Sequence, residues 1–193
     1  ADGMPLELPD APAYERQKSD FTCGPACAIM ALSRDGAPER GFGAELRMWR
    51  EATYFGGCDH FGVATLLARR GLPTRILVDV DAPILGTGGP HALNDAATRM
   101  RIHREQEAGA LELGVGAHIG PVERAGLDEA LARGEWVILL VDLERFNGEP
   151  APHWVVVWGR TGSHYLLHDP WSDEEFGETW LETAVLPIEG EDL

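Results

Sequence analysis

Residues 17 to 30 decide how the rest of the chain is interpreted, and they read Gln-Lys-Ser-Asp-Phe-Thr-Cys-Gly-Pro-Ala-Cys-Ala-Ile-Met. Proline is tolerated in a helix only in the first turn, so Pro25 predicts a helix that begins near Cys23. The apolar residues after it recur at the i, i+3, i+4 spacing of a buried helical face. A thiol in that first turn faces unpaired backbone N–H groups and the positive end of the helix dipole, which both favour the reactive thiolate. Cys23 is therefore a candidate nucleophile, and the alternative is a buried structural cysteine.

A second informative stretch, residues 152–170, predicts a β-hairpin. Two apolar runs, 153–159 and 163–169, flank Arg-Thr-Gly, which has the form of a three-residue loop with glycine at its end. If the residues at 159 and 163 form the closing pair, His153 lies directly opposite Asp169. Directly paired side chains share a face of the sheet, with Cβ atoms about 4.5–5.5 Å apart. The hairpin therefore predicts contact between this imidazole and this carboxylate.

The strand alternation also selects one histidine of three. In the predicted register His164 and His168 lie on the opposite face, out of reach of Asp169. A carboxylate beside an imidazole fixes its tautomer and stabilises the imidazolium that forms when the ring takes a proton from a nucleophile. We therefore predict a triad of Cys23, His153 and Asp169. An ordinary cross-strand pair is the alternative, and a one-residue shift of register would separate the two side chains.

Three motifs thus follow one another along the chain: the stretch around Cys23, His-Trp-Val-Val-Val-Trp-Gly at 153–159, and His-Asp-Pro at 168–170. Together they resemble the bacteriocin-processing (double-glycine leader) peptidases, a group within the papain-like cysteine peptidases, over nearly the whole length. Residues 49–53 and 56–62 resemble a stand-alone, soluble branch of that group. The resemblance implies a papain-like α+β fold, in which N-terminal helices carry the nucleophile at a helix N-terminus and pack on a C-terminal antiparallel sheet. The order of the predicted elements, helices first and then mostly strands, also favours the α+β class.

The resemblance implies a role for each site residue. Gln17, six residues before Cys23, helps to form the oxyanion hole together with the backbone N–H of the cysteine. His153 serves as general base and then as general acid, and Asp169 orients it. For Gln17 the alternative is an exposed polar residue ahead of a helix. The implied activity is hydrolysis of a peptide or peptide-like amide, with a Gly-Gly cleavage site as the family-based expectation and with no cofactor or metal.

Two other functions are compatible with these residues. An acyl- or transpeptidase-type transferase would use the same triad with an amine in place of water. Transglutaminase-like enzymes share the order Cys, His, Asp, but their nucleophile segment usually reads Gly-x-Cys, whereas here Thr22 precedes Cys23 and Gly24 follows it. A non-catalytic leader-peptide-binding module is disfavoured because all four catalytic positions are occupied.

Four further residues are candidates for substrate binding: Trp154, Trp171, Asp59 and His60. Trp171 is the best cleft candidate of the tryptophans because it follows Asp169-Pro170 directly, although large aromatic residues more often anchor a core. Asp59 and His60 could also suggest a metal or a second acid–base site, but no other cluster has metal-ligand spacing, so a loop turn and a helix cap are favoured. A glycine-dense segment, 109–120, is predicted to be a loop and a candidate lid.

The bulk composition predicts one domain, residues 1–193, with an extended Pro- and acid-rich arm at 1–16. The net charge of −16 argues against nucleic acid and anionic membranes as partners, since both require a cationic surface. No run approaches the roughly 18 apolar residues of a membrane span. No feature of the sequence specifies an oligomeric state.

Cysteine usage indicates the compartment. The three cysteines, at 23, 27 and 58, form neither an even disulfide framework nor a metal-binding spacing, which fits a reducing cytoplasm. The chain begins with Ala instead of Met, so a cleaved N-terminal signal is the alternative. Cys27 lies one turn after Cys23 and is predicted to be a small buried residue.

Overall fold

The computed structural model describes residues 10–54, 56–85, 95–144, 148, 150–173 and 177–193. The helices are α1 (Cys23–Leu32), α2 (Phe42–Ala52), α3 (His60–Arg69), α4 (Ala96–Glu112), α5 (Arg124–Ala132) and the short α6 (Trp180–Thr183). The strands are β1 (Arg75–Val78), β2 (Gly116–Ile119), β3 (Val137–Asp142), β4 (Pro152–Thr161), β5 (His164–His168) and β6 (Leu186–Glu189). Within these ranges, none of the helices combines the length and the apolar character that crossing a bilayer requires.

The strands form two separate sheets. Strands β3, β4, β5 and β6 make a four-stranded sheet in that order, with antiparallel pairing throughout, whereas β1 and β2 make a small parallel pair. Five helices of the described residues, α1 to α5, precede the four-stranded sheet along the chain, and α1 packs on β4. This is an α+β arrangement with a C-terminal antiparallel sheet, in agreement with the sequence prediction.

Strand β4 divides the core between the two faces of the sheet. Trp154 and Val156 pack with α1, α2 and α3 on one face, while Val155 and Val157 pack with β5 and α5 on the other. All four side chains are at most 5% exposed. Strand β4 is therefore apolar on both faces, as expected for a central strand that is covered on both sides.

The hairpin of β4 and β5 forms in a different register from the predicted one. Thr161 pairs with His164, so two residues form the loop, not the predicted three closed by residues 159 and 163. Gly162 in this loop has φ of 59°, a conformation that short hairpin loops require and glycine adopts freely. Local sequence could not distinguish the two loops, because Arg-Thr-Gly-Ser offers a glycine to either.

A bulge in β4 then restores the pattern of faces. The pairing shifts between Val157 and Gly159, and beyond the shift Val156 lies opposite His168. An odd shift in register moves every side chain of a strand to the other face of the sheet. A bulge adds one residue to one strand, so beyond the bulge the side chains return to their predicted faces. Asp169 consequently follows the end of β5 and is not a cross-strand partner of His153.

Two other sequence predictions are wrong. Residues 109–112 belong to α4 and 116–119 form β2, so the segment 109–120 is not a loop. Gly109 is tolerated inside the helix, and Gly114, with φ of 79°, ends it. The apolar residues of the segment 180–188 also predict a single strand. The structure divides this segment into α6 and β6 instead, because Thr179 and Glu182 form a capping box that starts a helical turn.

The described part of the N-terminal arm, residues 10–16, contains neither helix nor strand but packs against the domain. Glu15 is 6% exposed and accepts hydrogen bonds from the N–H of Gly41 and from Arg40, at the start of α2. The carbonyl of Pro12 accepts a hydrogen bond from His168. The arm therefore joins α2 to the end of β5.

Candidate active site

Cys23 is the first residue of α1, as predicted, and is 6% exposed. The turn that carries it is packed tightly from the side. A Cβ atom on Gly24 would lie 3.1 Å from both Cys58 Cβ and Val63 Cγ2. The close approach of the start of α3 and the loop before it thus favours glycine after the nucleophile. Helix α1 begins here because Pro25 is compatible only with a first turn.

The structure brings His153 and Asp169 together. His153 Nε2 lies 2.7 Å from Asp169 Oδ1, and both side chains are largely buried. Burial lowers the pKa of His153, but the hydrogen bonds to Asp169 and to Cys23 outweigh it and raise the pKa to about 9. Because Nε2 faces the carboxylate, Nδ1 is the ring nitrogen left to interact with the thiol. The imidazole therefore lies between a sulfur and a carboxylate.

The carboxylate of Asp169 is itself held in place. Its Oδ1 also accepts a hydrogen bond from the backbone N–H of Trp171 at 2.8 Å. The backbone N–H of Asp169 donates to the carbonyl of Thr183 at 2.9 Å. These bonds fix the acid although it lies beyond the regular pairing of β5.

Gln17 is buried, at 3% exposure, which excludes the alternative of an exposed polar residue. Its backbone N–H donates to the carbonyl of Pro170 at 2.9 Å, which places it beside the segment that carries Asp169. Its side-chain Nε2 donates to the carbonyl of Ser19 at 2.9 Å, and its Oε1 has no hydrogen-bond partner. One N–H of the amide is thus engaged in the turn before α1, and the second N–H is left for another acceptor.

A carboxylate that the sequence reasoning missed lies behind this turn. Glu45, in the first turn of α2, is fully buried and accepts hydrogen bonds from the Lys18 N–H and from Thr22 Oγ1. A sequence signal exists, since Glu45 stands three residues before Met48 and seven before Ala52, on the buried face of the helix. A charged residue on such a face needs partners.

The other two strand histidines, His164 and His168, have partners other than Asp169. His168 is 2% exposed; its Nδ1 accepts from the Val185 N–H at 3.0 Å and its Nε2 donates to the carbonyl of Pro12 at 2.9 Å. Burial lowers the pKa of His168, which favours the neutral ring that this pair of bonds requires. His164 is at the surface near Glu189. His168 is a structural tether.

The predicted substrate-binding tryptophans differ in position. Trp154 is 5% exposed and its indole N–H donates to the carbonyl of Cys58 at 2.8 Å, so it belongs to the core that supports α1. Its position matches the packing alternative. Trp171 is only partly buried and directly follows the Asp169-Pro170 segment, so its role in substrate binding stays a prediction.

Asp59 and His60 occupy the start of α3. Asp59 caps the helix by accepting from the His60 N–H at 2.7 Å, and it accepts from the Ile84 N–H at 3.1 Å. His60 is 5% exposed and its ring packs on Phe61 and His103. This arrangement matches the cap and packing alternative of the sequence analysis.

The remaining cysteines are fully buried. Burial raises the pKa of both the Cys27 and the Cys58 thiol well above the usual range, and the nearby Cys23 adds to the effect. Cys27 donates its S–H to the carbonyl of Trp154. Of the three thiols, Cys23 alone contacts a histidine that can take its proton.

One group of described residues has the spacing of metal ligands. Ligand atoms of Asp81, His103 and Glu107 lie within 4.8 Å of one another. Arg104 bridges the two carboxylates, at 2.8 Å from Asp81 and 2.7 Å from Glu107. The arginine already neutralises the charge that would attract a cation, so the group is better explained as an ion-pair network.

Comparison with protein-family models matches residues 12–193 to a family described as Peptidase_C39 like family. The match extends over the helices, both sheets and every candidate site residue. Comparisons with curated proteins and with solved structures give no significant match.

Proposed function

Because the chain belongs to the Peptidase_C39 like family, we propose that it is a papain-like cysteine peptidase that cleaves a peptide or peptide-like amide with Cys23, His153 and Asp169. The observation that carries the proposal is the position of His153, which contacts Cys23 on one side and Asp169 on the other. A base oriented by a third group beside a thiol is the arrangement that nucleophilic catalysis needs.

The reaction uses each residue in a defined way. The proton of the Cys23 thiol passes to His153, and the thiolate attacks the carbonyl carbon of the substrate. The oxyanion that develops accepts hydrogen bonds from the backbone N–H of Cys23 and from the second N–H of the Gln17 amide. The imidazolium then protonates the leaving amine, and an acyl-enzyme is left on the sulfur. Neutral His153 next takes a proton from water, which attacks the acyl-enzyme and releases the acid.

The raised pKa of His153 supports this role. With a pKa of about 9, the ring is an imidazolium at neutral pH and holds the proton that the leaving amine requires. Asp169 stabilises this charge, because its carboxylate is fixed by the Trp171 N–H and directed at Nε2.

The substrate of the proposed enzyme is a peptide with a Gly-Gly cleavage site, and the reaction needs neither cofactor nor metal. Two small residues on the acyl side of the scissile bond suit a nucleophile that is only 6% exposed and flanked by a tightly packed turn. The stand-alone, cytoplasmic branch of the group is the proposed affiliation.

The test is cleavage of synthetic peptides that contain Gly-Gly, with matched peptides in which Ala-Ala or Leu-Leu replaces it. We expect cleavage after the second glycine by the wild type, none by Cys23→Ala, and near wild-type cleavage by Cys58→Ala. Cleavage that persists in Cys23→Ala would refute the proposal. An added primary amine distinguishes the transferase alternative, since a transferase would give the amide product where a hydrolase gives the acid.

A further inference from the structure

The turn that joins Gln17 to Cys23 is attached at both ends to one oxygen atom. Glu45 Oε2 accepts a hydrogen bond from the Lys18 N–H at 2.9 Å and from Thr22 Oγ1 at 2.8 Å. Lys18 directly follows Gln17, and Thr22 directly precedes Cys23. The two residues that supply the proposed oxyanion donors are therefore each one peptide bond away from a contact with Glu45.

The same turn is closed from within by the carbonyl of Ser19. This oxygen accepts from Gln17 Nε2 at 2.9 Å and from the Thr22 N–H at 3.1 Å. Thr22 Oγ1 also lies 3.0 Å from it, but a hydroxyl has one hydrogen, and the carboxylate at 2.8 Å is the closer and more strongly accepting partner. The orientation of the Gln17 amide relative to the start of α1 thus depends on the geometry that Glu45 imposes.

Packing alone does not account for a carboxylate at this place. Glu45 is 0% exposed, and its Oε1 has no hydrogen-bond partner. Burial raises the pKa of Glu45, and the Lys18 N–H, the Thr22 hydroxyl and the Lys18 charge oppose this effect while Glu15 adds to it. A buried charge with an unpaired oxygen is costly, whereas charge-assisted hydrogen bonds hold a backbone turn more firmly than neutral ones.

We infer that Glu45 is a positioning residue of the proposed oxyanion hole, acting from α2 through the 18–22 turn on the Gln17 amide and the Cys23 N–H. It touches neither substrate nor sulfur. The inference rests on the proposed function for the existence of an oxyanion hole, but it does not depend on the natural substrate.

Two reactions of Cys23 separate this role from general support of the fold. Acylation by p-nitrophenyl acetate passes through a tetrahedral oxyanion and releases nitrophenolate, whereas alkylation by iodoacetamide displaces iodide and forms no oxyanion. In Glu45→Gln, which keeps the volume and loses the charge, we expect acylation to slow about tenfold, a fraction of the cost of deleting an oxyanion donor. Alkylation should stay within about twofold of wild type.

Matched variants complete the test. Glu15→Gln removes another buried carboxylate that joins the arm to α2 without touching the turn, so its acylation rate should stay within about twofold of wild type. Thr22→Val removes one of the two hydrogen bonds that Glu45 accepts, so it should slow acylation in the same direction as Glu45→Gln. The double variant should be slower by less than the product of the two single effects, because the two side chains share a hydrogen bond.

Three results would overturn the inference: equal loss of acylation and alkylation in Glu45→Gln, no loss of acylation, or wild-type acylation no faster than that of Gln17→Ala. Failure of the proposed function looks different. Wild type would then be acylated rapidly and show the Glu45 effect, yet cleave no peptide.

Discussion

At the scale of single residues, the chemistry depends on two opposing effects of the surroundings on the pKa of His153. Its burial disfavours the charged ring, and the hydrogen bonds that it makes to Asp169 and Cys23 reverse that effect. The sequence identified all four candidate catalytic residues by motif and spacing. It did not identify Glu45, because the partners of this side chain lie 23 and 27 residues away in the chain and only the folded turn brings them together.

The pKa of His153 predicts the alkaline limit of activity. Imidazolium must protonate a leaving amine, so kcat/KM for a peptide amide should fall as the pH rises through about 9. In Asp169→Asn the raising contribution of the carboxylate is lost while burial persists, so this limit should move to lower pH and turnover should drop by about 10–10³-fold.

A p-nitrophenyl ester is the control for this profile. Its leaving group needs no proton, so kcat/KM for the ester should show no decline near pH 9. An alkaline limit that is the same in wild type and Asp169→Asn would remove the carboxylate from the mechanism. The stability of the fold depends on pH in the same direction. Because folding raises the pKa of His153, the contribution of the His153–Asp169 pair to the free energy of unfolding is complete below about pH 6.5 and is lost as the pH rises through about 9.

At the scale of elements, the sequence predicted the helix that begins at Cys23, the hairpin of β4 and β5, and the order of helices first and then mostly strands. The hairpin shows why the register of two strands is harder to predict than the strands themselves. The contact between His153 and Asp169 was predicted, but from a wrong register, and it exists because a bulge after Val157 compensates for the shorter loop. The bulge has no local signal in the sequence, since it depends on what packs against the strand.

The approach of α2 to α3 provides a prediction at this scale. A Cβ atom on Gly62 would lie 2.1 Å from the carbonyl oxygen of Ala52, and backbone cannot move aside easily. Gly62→Ala should therefore lower the free energy of unfolding by about 3 kcal/mol. Gly109→Ala is the matched control in α4, where a Cβ atom meets nothing within 4 Å, and it should raise that free energy by about 0.5–1 kcal/mol.

Urea denaturation of the two variants measures both effects. If Gly62→Ala were as stable as Gly109→Ala, the result would contradict the close packing of α2 against α3.

At the scale of the whole molecule, the N-terminal arm and the C-terminal segment meet behind the candidate site. His168 bonds to Pro12 in the arm and to Val185 near the C-terminus. Val185 has φ of 59°, which is unfavourable for a β-branched residue and is held by this hydrogen bond. The sequence predicts an extended arm but not its contacts, because an irregular segment has no periodicity from which to infer them.

Removal of this tether should weaken the fold more than the chemistry. His168→Ala leaves two buried backbone groups unpaired and a cavity, so we expect a loss of about 2–4 kcal/mol in the free energy of unfolding with the alkylation rate of Cys23 retained. His164→Ala, at a side chain 42% exposed, should change stability by less than about 0.5 kcal/mol.

The pH dependence of the tether has a definite sign. Folding lowers the pKa of His168, so its contribution to stability is complete above about pH 6.5 and decreases as the pH falls. Urea titrations at pH 7.5 and 5.5 should show a smaller acid destabilisation in His168→Ala than in wild type. Equal acid destabilisation would mean that another group is responsible.

The most direct test of the central claim is peptide mapping after substoichiometric iodoacetamide at pH 6, in wild type and in His153→Ala. An active site built on Cys23 and His153 predicts that wild type is modified at Cys23 first, ahead of Cys27 and Cys58, whose thiols are 0% exposed. The rate should fall at least about tenfold in His153→Ala, since the imidazolium stabilises the thiolate. Modification of Cys27 or Cys58 first, or an unchanged rate in His153→Ala, would contradict the claim.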